Sequence, residues 1–247
     1  MAEPIPPDDH LAGINHFLDL LSGYVPPRGV IHVGAHQGQE VAAYLARGLS
    51  NILLVEANPH WCEYLKRTFA AASAVRVCNC AVTDTDGIID LQMHTSRSGS
   101  TEPASIFLLK RFKEIVKTLH TPESVRVPAT RLDSLFQQHG FAMSDYNCLN
   151  IDVQGAELLA FRGGPKLLNQ LDAVLTEVNL IEMYEGCPSA QDIQNFLCGA
   201  GFELVGSLYH ELYDETGAFP AWGECLFVRR ELVARRSTPP VPFPSAA

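Results

Sequence analysis

Five clusters in this sequence carry residue types that could do chemistry together. They are Gly34-Ala35-His36-Gln37-Gly38, Glu56-Ala57, Asn79-Cys80-Ala81, Asp152 with Gln154 and Glu157 close behind, and Glu177. Glycines let a chain turn sharply and let a ligand approach the backbone. A helix N-terminus behind such a turn favours a negative group such as a carboxylate. Glu56 follows Gly34 by about 22 residues. A carboxylate at that distance can accept both hydroxyl protons of a ribose and would repel a 2′-phosphate. An adenine ring would then lie near Asn79 and Ala81. These spacings point to an adenosine-containing ligand held by Gly34, Ala35, His36, Gly38, Glu56, Ala57, Asn79, Ala81 and Asp152.

The glycine pattern narrows the ligand further. A pyrophosphate site favours Gly-x-Gly-x-x-Gly. Here position 36 is His, and the third glycine of that fingerprint falls at Gln39. That disfavours NAD and FAD and leaves room for a ligand without pyrophosphate, of which S-adenosylmethionine is the obvious one.

Such a site needs strand ends to hold it. Val30–Val33, Asn51–Val55, Val75–Cys80, Asn147–Val153 and Ala173–Val178 read as strands, several of them continuous apolar runs. Residues 40–47, 60–69, 132–139 and 191–198 read as intervening helices, as does 157–169 with a break at Gly163-Gly164-Pro165. Alternation of this kind predicts a doubly wound α/β sheet with helices on both faces. Ligands then sit outside the carboxyl ends of the strands, where the strand order reverses. His10–Leu21 has helical spacing and suits an outer helix or a lid. Ile88–Met93 reads as an extra strand, Val125–Pro128 as a short extended piece, and Ala104–Leu119 as an amphipathic helix. Phe202–Leu208 and Glu224–Val228 suit an antiparallel pair at the sheet edge.

Composition sets limits on partners. The 247 residues fill one domain, expected over 10–230, with a disordered lead-in (1–9) and a disordered proline-rich tail (231–247). The formal net charge of −10 disfavours a nucleic-acid partner, which needs a basic footprint. No apolar run reaches the roughly 18 residues of a membrane span. Seven cysteines without a Cys-x-x-Cys pair suit reduced thiols in the cytoplasm rather than disulfides or a metal.

Read in order, several motifs carry a family resemblance. They are Val33-Gly34-Ala35-His36-Gln37-Gly38, Val55-Glu56-Ala57-Asn58-Pro59, Ala81-Val82 with Asp86-Gly87, Thr130-Arg131-Leu132-Asp133, Asn150-Ile151-Asp152-Val153-Gln154-Gly155-Ala156-Glu157 and Thr176-Glu177-Val178. The sequence resembles the FkbM family of S-adenosylmethionine-dependent methyltransferases from about Val30 to Val228. The resemblance implies a Rossmann-like class I methyltransferase sandwich, seven-stranded and mostly parallel, with one antiparallel edge strand. It also implies methylation of a hydroxyl on a sugar, glycolipid or secondary metabolite. Where many relatives carry Asp two residues before the first glycine, this chain has His32. His36, Gln39, Glu40 or backbone carbonyls would then hold the methionine end of the cofactor.

Methyl transfer from a sulfonium has a good leaving group and needs no metal. It needs alignment, water exclusion and, for a hydroxyl acceptor, a general base. Asp152 is the first candidate base and Glu177 the second, with His36 and His94 as further imidazoles. His32 reads as a core histidine. The stretch 94–126 interrupts the alternation and suits a substrate-recognition insert. Its Arg97, Lys110, Arg111, Lys113, Lys117 and Arg126 hint at an anionic or carbohydrate acceptor. N- or C-methylation on the same scaffold, a nicotinamide-dependent oxidoreductase and a silent nucleotide-binding module remain open at this stage.

Overall fold

A computed structural model describes residues 7–95, 101–110, 123–214 and 217–235, with the side chains of 7–12, 94–95, 101–103 and 214 left out of the description. The central sheet is built from β1 (Gly29–Val33), β2 (Asn51–Glu56), β3 (Val75–Asn79), β8 (Cys148–Ile151), β9 (Ala173–Asn179), β10 (Phe202–Asp214) and β11 (Gly217–Arg229). Its order is β10-β11-β9-β8-β1-β2-β3. The strands β9, β8, β1, β2 and β3 run parallel, and β11 runs against both β9 and β10, so the antiparallel strand stands beside the edge strand β10. Strand β1 is buried at every position. A strand covered on both faces gains by being apolar throughout, hence the unbroken run Val30–Val33 with a single His.

The pleat divides the core in two. Ile31, Val33, Leu53 and Val55 point to the face covered by Leu132, Phe136, Phe161 and Leu167 from the helices α4 (Leu132–His139), α5 (Glu157–Arg162) and α6 (Pro165–Leu168). Val30, Ile52 and Leu54 point to the other face. There α1 (Pro7–Ser22), α2 (Val41–Ala46) and α3 (Pro59–Thr68) cover them with Phe17, Leu18, Val41, Tyr44 and Leu65. Helix α7 (Ala190–Gly199) packs on the first face through Ile193 and Leu197, and starts at a capping box between Ser189 and Asp192. Helix α1 is both an outer helix and a cover. Ile14, Phe17, Leu18 and Leu21 are buried, each contributing roughly 1.5–3 kcal/mol. Arg47 ties it down through Asn15 Oδ1 (2.6 Å) and Asp19 Oδ1 (2.6 Å).

A second, four-stranded sheet has the order β4-β7-β5-β6, from β4 (Ala81–Val82), β5 (Gly87–Thr95), β6 (Thr101–Ser105) and β7 (Glu123–Thr130). It joins the two pieces that the sequence presents as separate extended segments. It also corrects the start of the helix expected over Ala104–Leu119: Ala104 and Ser105 pair with Met93 and Gln92 at the edge of β5. The Ser105 hydroxyl donates to the Gln154 carbonyl (2.7 Å), which fixes this stretch across the molecule instead of in a helical turn. The remainder of that expected helix, 111–119, lies outside the described residues, as do Arg97, Arg111, Lys113 and Lys117. The edge pair is longer than expected, because β10 and β11 continue to Asp214 and Gly217. Trp222 therefore sits within a strand. At the C-terminal end, α8 (Arg230–Ala234) packs Leu232 and Val233 on the core; residues 1–6 and 236–247 lie outside the described residues. The seven cysteines are all unpaired. Among the described residues no helix is long and apolar enough to cross a membrane.

Candidate active site

Strand order reverses between β1 and β8, and a cavity of about 720 Å³ opens at their carboxyl ends. Of the residues singled out from the sequence, Gly34, Ala35, His36, Glu56, Ala57, Ala81, Asp152 and Glu177 line it. Gly38 and Asn79 do not. Gly38 has φ +71 and lets the turn pack on α3, where a Cβ would meet Leu65 and Phe69 within 2.9 Å. The Asn79 amide donates to the carbonyls of Glu56 (2.8 Å) and Ala57 (3.2 Å) and so holds the loop after β2 from behind. The side chain of His94 lies outside the description.

At one end, Glu56 is buried at the tip of β2. Its Oε2 accepts from the His36 N–H (2.7 Å) and its Oε1 from the Asn58 N–H (2.7 Å). Burial raises its pKa, against the pull of those amides. Asn58 also caps α3 by accepting from the His60 N–H. His36 sits at φ +45 and packs its ring 4.6 Å from that of Trp61. The Trp61 Nε1 is buried without a hydrogen-bond partner in the wall of the same cavity.

In the middle stand three acids. One carboxylate oxygen from each of Asp152, Glu157 and Glu177 lies within 4.8 Å of the others, a spacing that suits a cation, metallic or organic. Burial raises the Asp152 pKa to about 6, with the charges of Glu224 and Glu40 adding to it. Glu157 is raised to about 7 by burial and then by Asp152, although its Oε1 accepts from the N–H groups of Val153 and Gly155. Glu177 is raised well above the ordinary carboxylate range, by burial first and then by Asp152 and Glu157. Like charges this close in a desolvated site do not all ionise together.

The orientation of Asp152 comes from Gln154, whose Nε2 donates to Asp152 Oδ1 (2.6 Å). Gln154 takes the left-handed conformation (φ +53), which disfavours a residue with a Cβ. Its Oε1 accepts from the buried Tyr184 hydroxyl. Tyr184 stands on a roof where 108–110 pairs with 183–185, through Lys110 N–H to the Met183 carbonyl and Glu185 N–H to the Leu108 carbonyl. Removing the hydroxyl frees Gln154 to turn. Tyr184→Phe is expected to lower kcat about 3- to 10-fold, the worth of one neutral hydrogen bond, while affinity for S-adenosylhomocysteine stays at the wild-type value in calorimetry.

His32 is the core histidine its sequence position suggests. It is buried, and desolvation lowers its pKa. Tyr44 accepts from Asn150 and so has its own proton for His32 Nδ1 at 3.4 Å. Glu40 stands 4.0 Å from that imidazole and lines the cavity, as do His36 and Gln39. The far end of the cavity holds residues that sequence reading missed: Asn179, Tyr184, His210 and Glu224. His210 Nε2 is 2.8 Å from Glu224 Oε2, and its ring stacks on Trp222 at 5.2 Å. Lys110 of the expected basic insert is paired with Glu182.

The model of the methyltransferase FkbM domain matches residues 32–204, well over half of the chain. The chain belongs to the FkbM methyltransferase family. This FkbM chain is 24% identical over 184 residues to the 2-O-methyltransferase NoeI of Sinorhizobium fredii (strain NBRC 101917 / NGR234), covering 73% of the chain and 74% of NoeI. Among solved structures, the FkbM chain is similar to the N-methyltransferase NodS from Bradyrhizobium japonicum WM9, with TM-score 0.50, 8% identity, 90% of this chain and 95% of that one. The precorrin-6y C5,15-methyltransferase from Geobacter metallireducens GS-15 gives TM-score 0.48 and 11% identity over 93% and 92%. The likeness to NodS is one of fold alone, a Rossmann-like α/β sandwich of the class I methyltransferase kind.

Proposed function

We propose that this methyltransferase uses S-adenosylmethionine to methylate a hydroxyl group of a small acceptor such as a sugar, a glycolipid or a secondary metabolite. The observation that carries the reading is one continuous cavity joining Glu56 at one end to Asp152 and Glu177 in the middle. The residues present fit the cofactor. Glu56 has its carboxylate fixed by two amides and oxygen lone pairs to spare for two ribose hydroxyls. Ala57, Ala81 and Val82 supply an apolar slot beside Trp61, whose unpartnered N–H is a donor for a base. The turn Gly34-Ala35-His36 presents backbone to the ligand. Glu40, beside His32, is our choice for the amino group of the methionine end.

When bound, S-adenosylmethionine supplies an activated methyl group on a sulfonium centre. The protein's own part is to align the acceptor, exclude water and take up a proton. Asp152 takes the acceptor's hydroxyl proton, held towards it by Gln154. Glu177, with its raised pKa, is the neighbouring proton carrier that keeps a second negative charge away from Asp152. Helix α1 and the Tyr184 roof cover the cavity and shed solvent. The acid-rich lining and the net charge of −10 favour a small neutral acceptor over a nucleic acid. The unpaired cysteines suit work in the cytoplasm.

Calorimetry with S-adenosylhomocysteine and NAD tests the cofactor. Binding of the first with no heat for NAD is expected, and the reverse would overturn the reading. Glu56→Gln is expected to weaken S-adenosylhomocysteine about 10- to 100-fold, the worth of hydrogen bonds to a charged group. An unchanged Kd would remove Glu56 from the site.

A further inference from the structure

The far end of the cavity contains a donor with no partner. Asn179 is 3% exposed, lines the cavity at the carboxyl end of β9, and its Nδ2 is buried without a hydrogen bond. Leaving a buried donor unmade costs free energy, so a folded chain keeps one where a ligand completes it. Strand register then supplies the neighbours. Trp222 lies opposite Asn179, Glu224 opposite Glu177, and His210 opposite Trp222. All of these side chains line the same cavity. Asn179 and Glu224 are diagonal neighbours on adjacent strands, a separation of ~7–8 Å. Two adjacent hydroxyls on one ring span that gap, one accepting from Nδ2 and the other donating to a carboxylate oxygen.

The lining also sets the charge of the occupant. No Lys or Arg is among the described residues that line the cavity, whereas Glu40, Asp152, Glu177 and Glu224 are. Among the described residues an anionic acceptor would meet carboxyls and imidazoles there but no Lys or Arg, and Lys110 is committed to Glu182. Resting on the methyl-transfer reading above, we propose that Asn179 is a specificity-determining residue. It donates from Nδ2 to a hydroxyl oxygen of a neutral ring bearing adjacent hydroxyls, and the neighbouring hydroxyl donates to Glu224, which His210 holds in place. A site built to pair with substrate hydroxyls rejects analogues that lack them far more strongly than an apolar pocket rejects a small change in size.

The chain's two tryptophans make the test direct, since Trp61 sits at the Glu56 end and Trp222 beside Asn179. In the full-length Trp61→Phe protein saturated with S-adenosylhomocysteine, Trp222 emission is followed during titration with methyl α-glycosides of glucose, galactose and mannose. Their deoxy analogues and the sugar phosphates are titrated in parallel. At least one neutral glycoside is expected to quench Trp222, with its deoxy analogue and phosphate at least tenfold weaker. Asn179→Leu in that background is expected to weaken the glycoside at least tenfold with an unchanged Kd for S-adenosylhomocysteine. Its melting temperature should not fall, because an unpaired buried amide is replaced by an apolar group of similar size. Should that variant not fold, Asn179→Ala removes the donor without adding a charge and carries the same expectation for the glycoside.

Wild-type glycoside affinity in a folded Asn179 variant overturns the proposal. So does a preference for phosphates, or the absence of any glycoside response while S-adenosylhomocysteine still binds; in these cases the methyl-transfer reading stands. Failure of S-adenosylhomocysteine to bind the wild-type protein, whose Trp61 is intact, sinks that reading and the proposal with it.

Discussion

Asp152→Asn is expected to lower kcat by about 10²–10⁴-fold, the usual share of a positioned general base, with affinity for S-adenosylhomocysteine within a few-fold of wild type. The asparagine keeps the shape and the partner in Gln154 but offers no lone pair basic enough to take a proton. The wild-type pH profile should carry the matching signature. Burial raises the Asp152 pKa to about 6, and a base works only when deprotonated. The rate limit kcat/KM should therefore rise with pH through about 6 and level off above it. A solvent-exposed aspartate would place that limb near the ordinary carboxylate range instead. Because the charge of Glu224 helps to raise Asp152, Glu224→Gln should move that limb of kcat/KM to lower pH. A profile flat from pH 5 to 7, or a Asp152→Asn enzyme with more than a tenth of wild-type kcat, would hand the proton to another group.

Much of this arrangement is legible in the chain because each cofactor-end residue is marked by its place at a strand end. Gly34, Glu56 and Asp152 each close a buried strand, and parallel strands covered on both faces announce themselves as apolar runs. Gly38 and Asn79 show why a motif position is not a contact. They occupy the expected places, yet one makes room for Leu65 and Phe69 and the other holds two carbonyls from behind. The far end was not legible for a different reason. Asn179, Glu224 and His210 come together only through the register of β9, β11 and β10, and register is set by pairing across tens of residues. Their strands also hide their own pattern: Tyr209 and Tyr213 face outward while His210 and Leu212 face in. The first residues of the helix expected over Ala104–Leu119, those up to Lys110, are not helical on the same kind of evidence. Its apolar spacing is real, but the bond from Ser105 to a carbonyl 49 residues away decides the local backbone.

The largest effect on stability is expected from Gly34→Ala. Gly34 has φ +83, where a Cβ is disfavoured, and the added Cβ would stand 1.8 Å from the Asp152 carbonyl oxygen. Neither side can give way cheaply. The Gly34 N–H donates to the Val55 carbonyl (2.9 Å) and the Asp152 N–H to the Val33 carbonyl (3.0 Å), so both backbones are pinned to the centre of the sheet. The comparison is Gly140→Ala at the C-cap of α4. That glycine has a similar φ of +65 but nothing within 4 Å of an added Cβ. Gly140→Ala isolates the conformational cost, about 1–2 kcal/mol, and Gly34→Ala adds the collision, bringing the loss above about 4 kcal/mol. Urea unfolding of both variants measures the difference, and the Gly34 variant should lose S-adenosylhomocysteine binding together with its fold. Equal midpoints for the two would mean that the backbone at Asp152 yields, and with it the claim that the turn and the base are held by one rigid junction of β1 and β8.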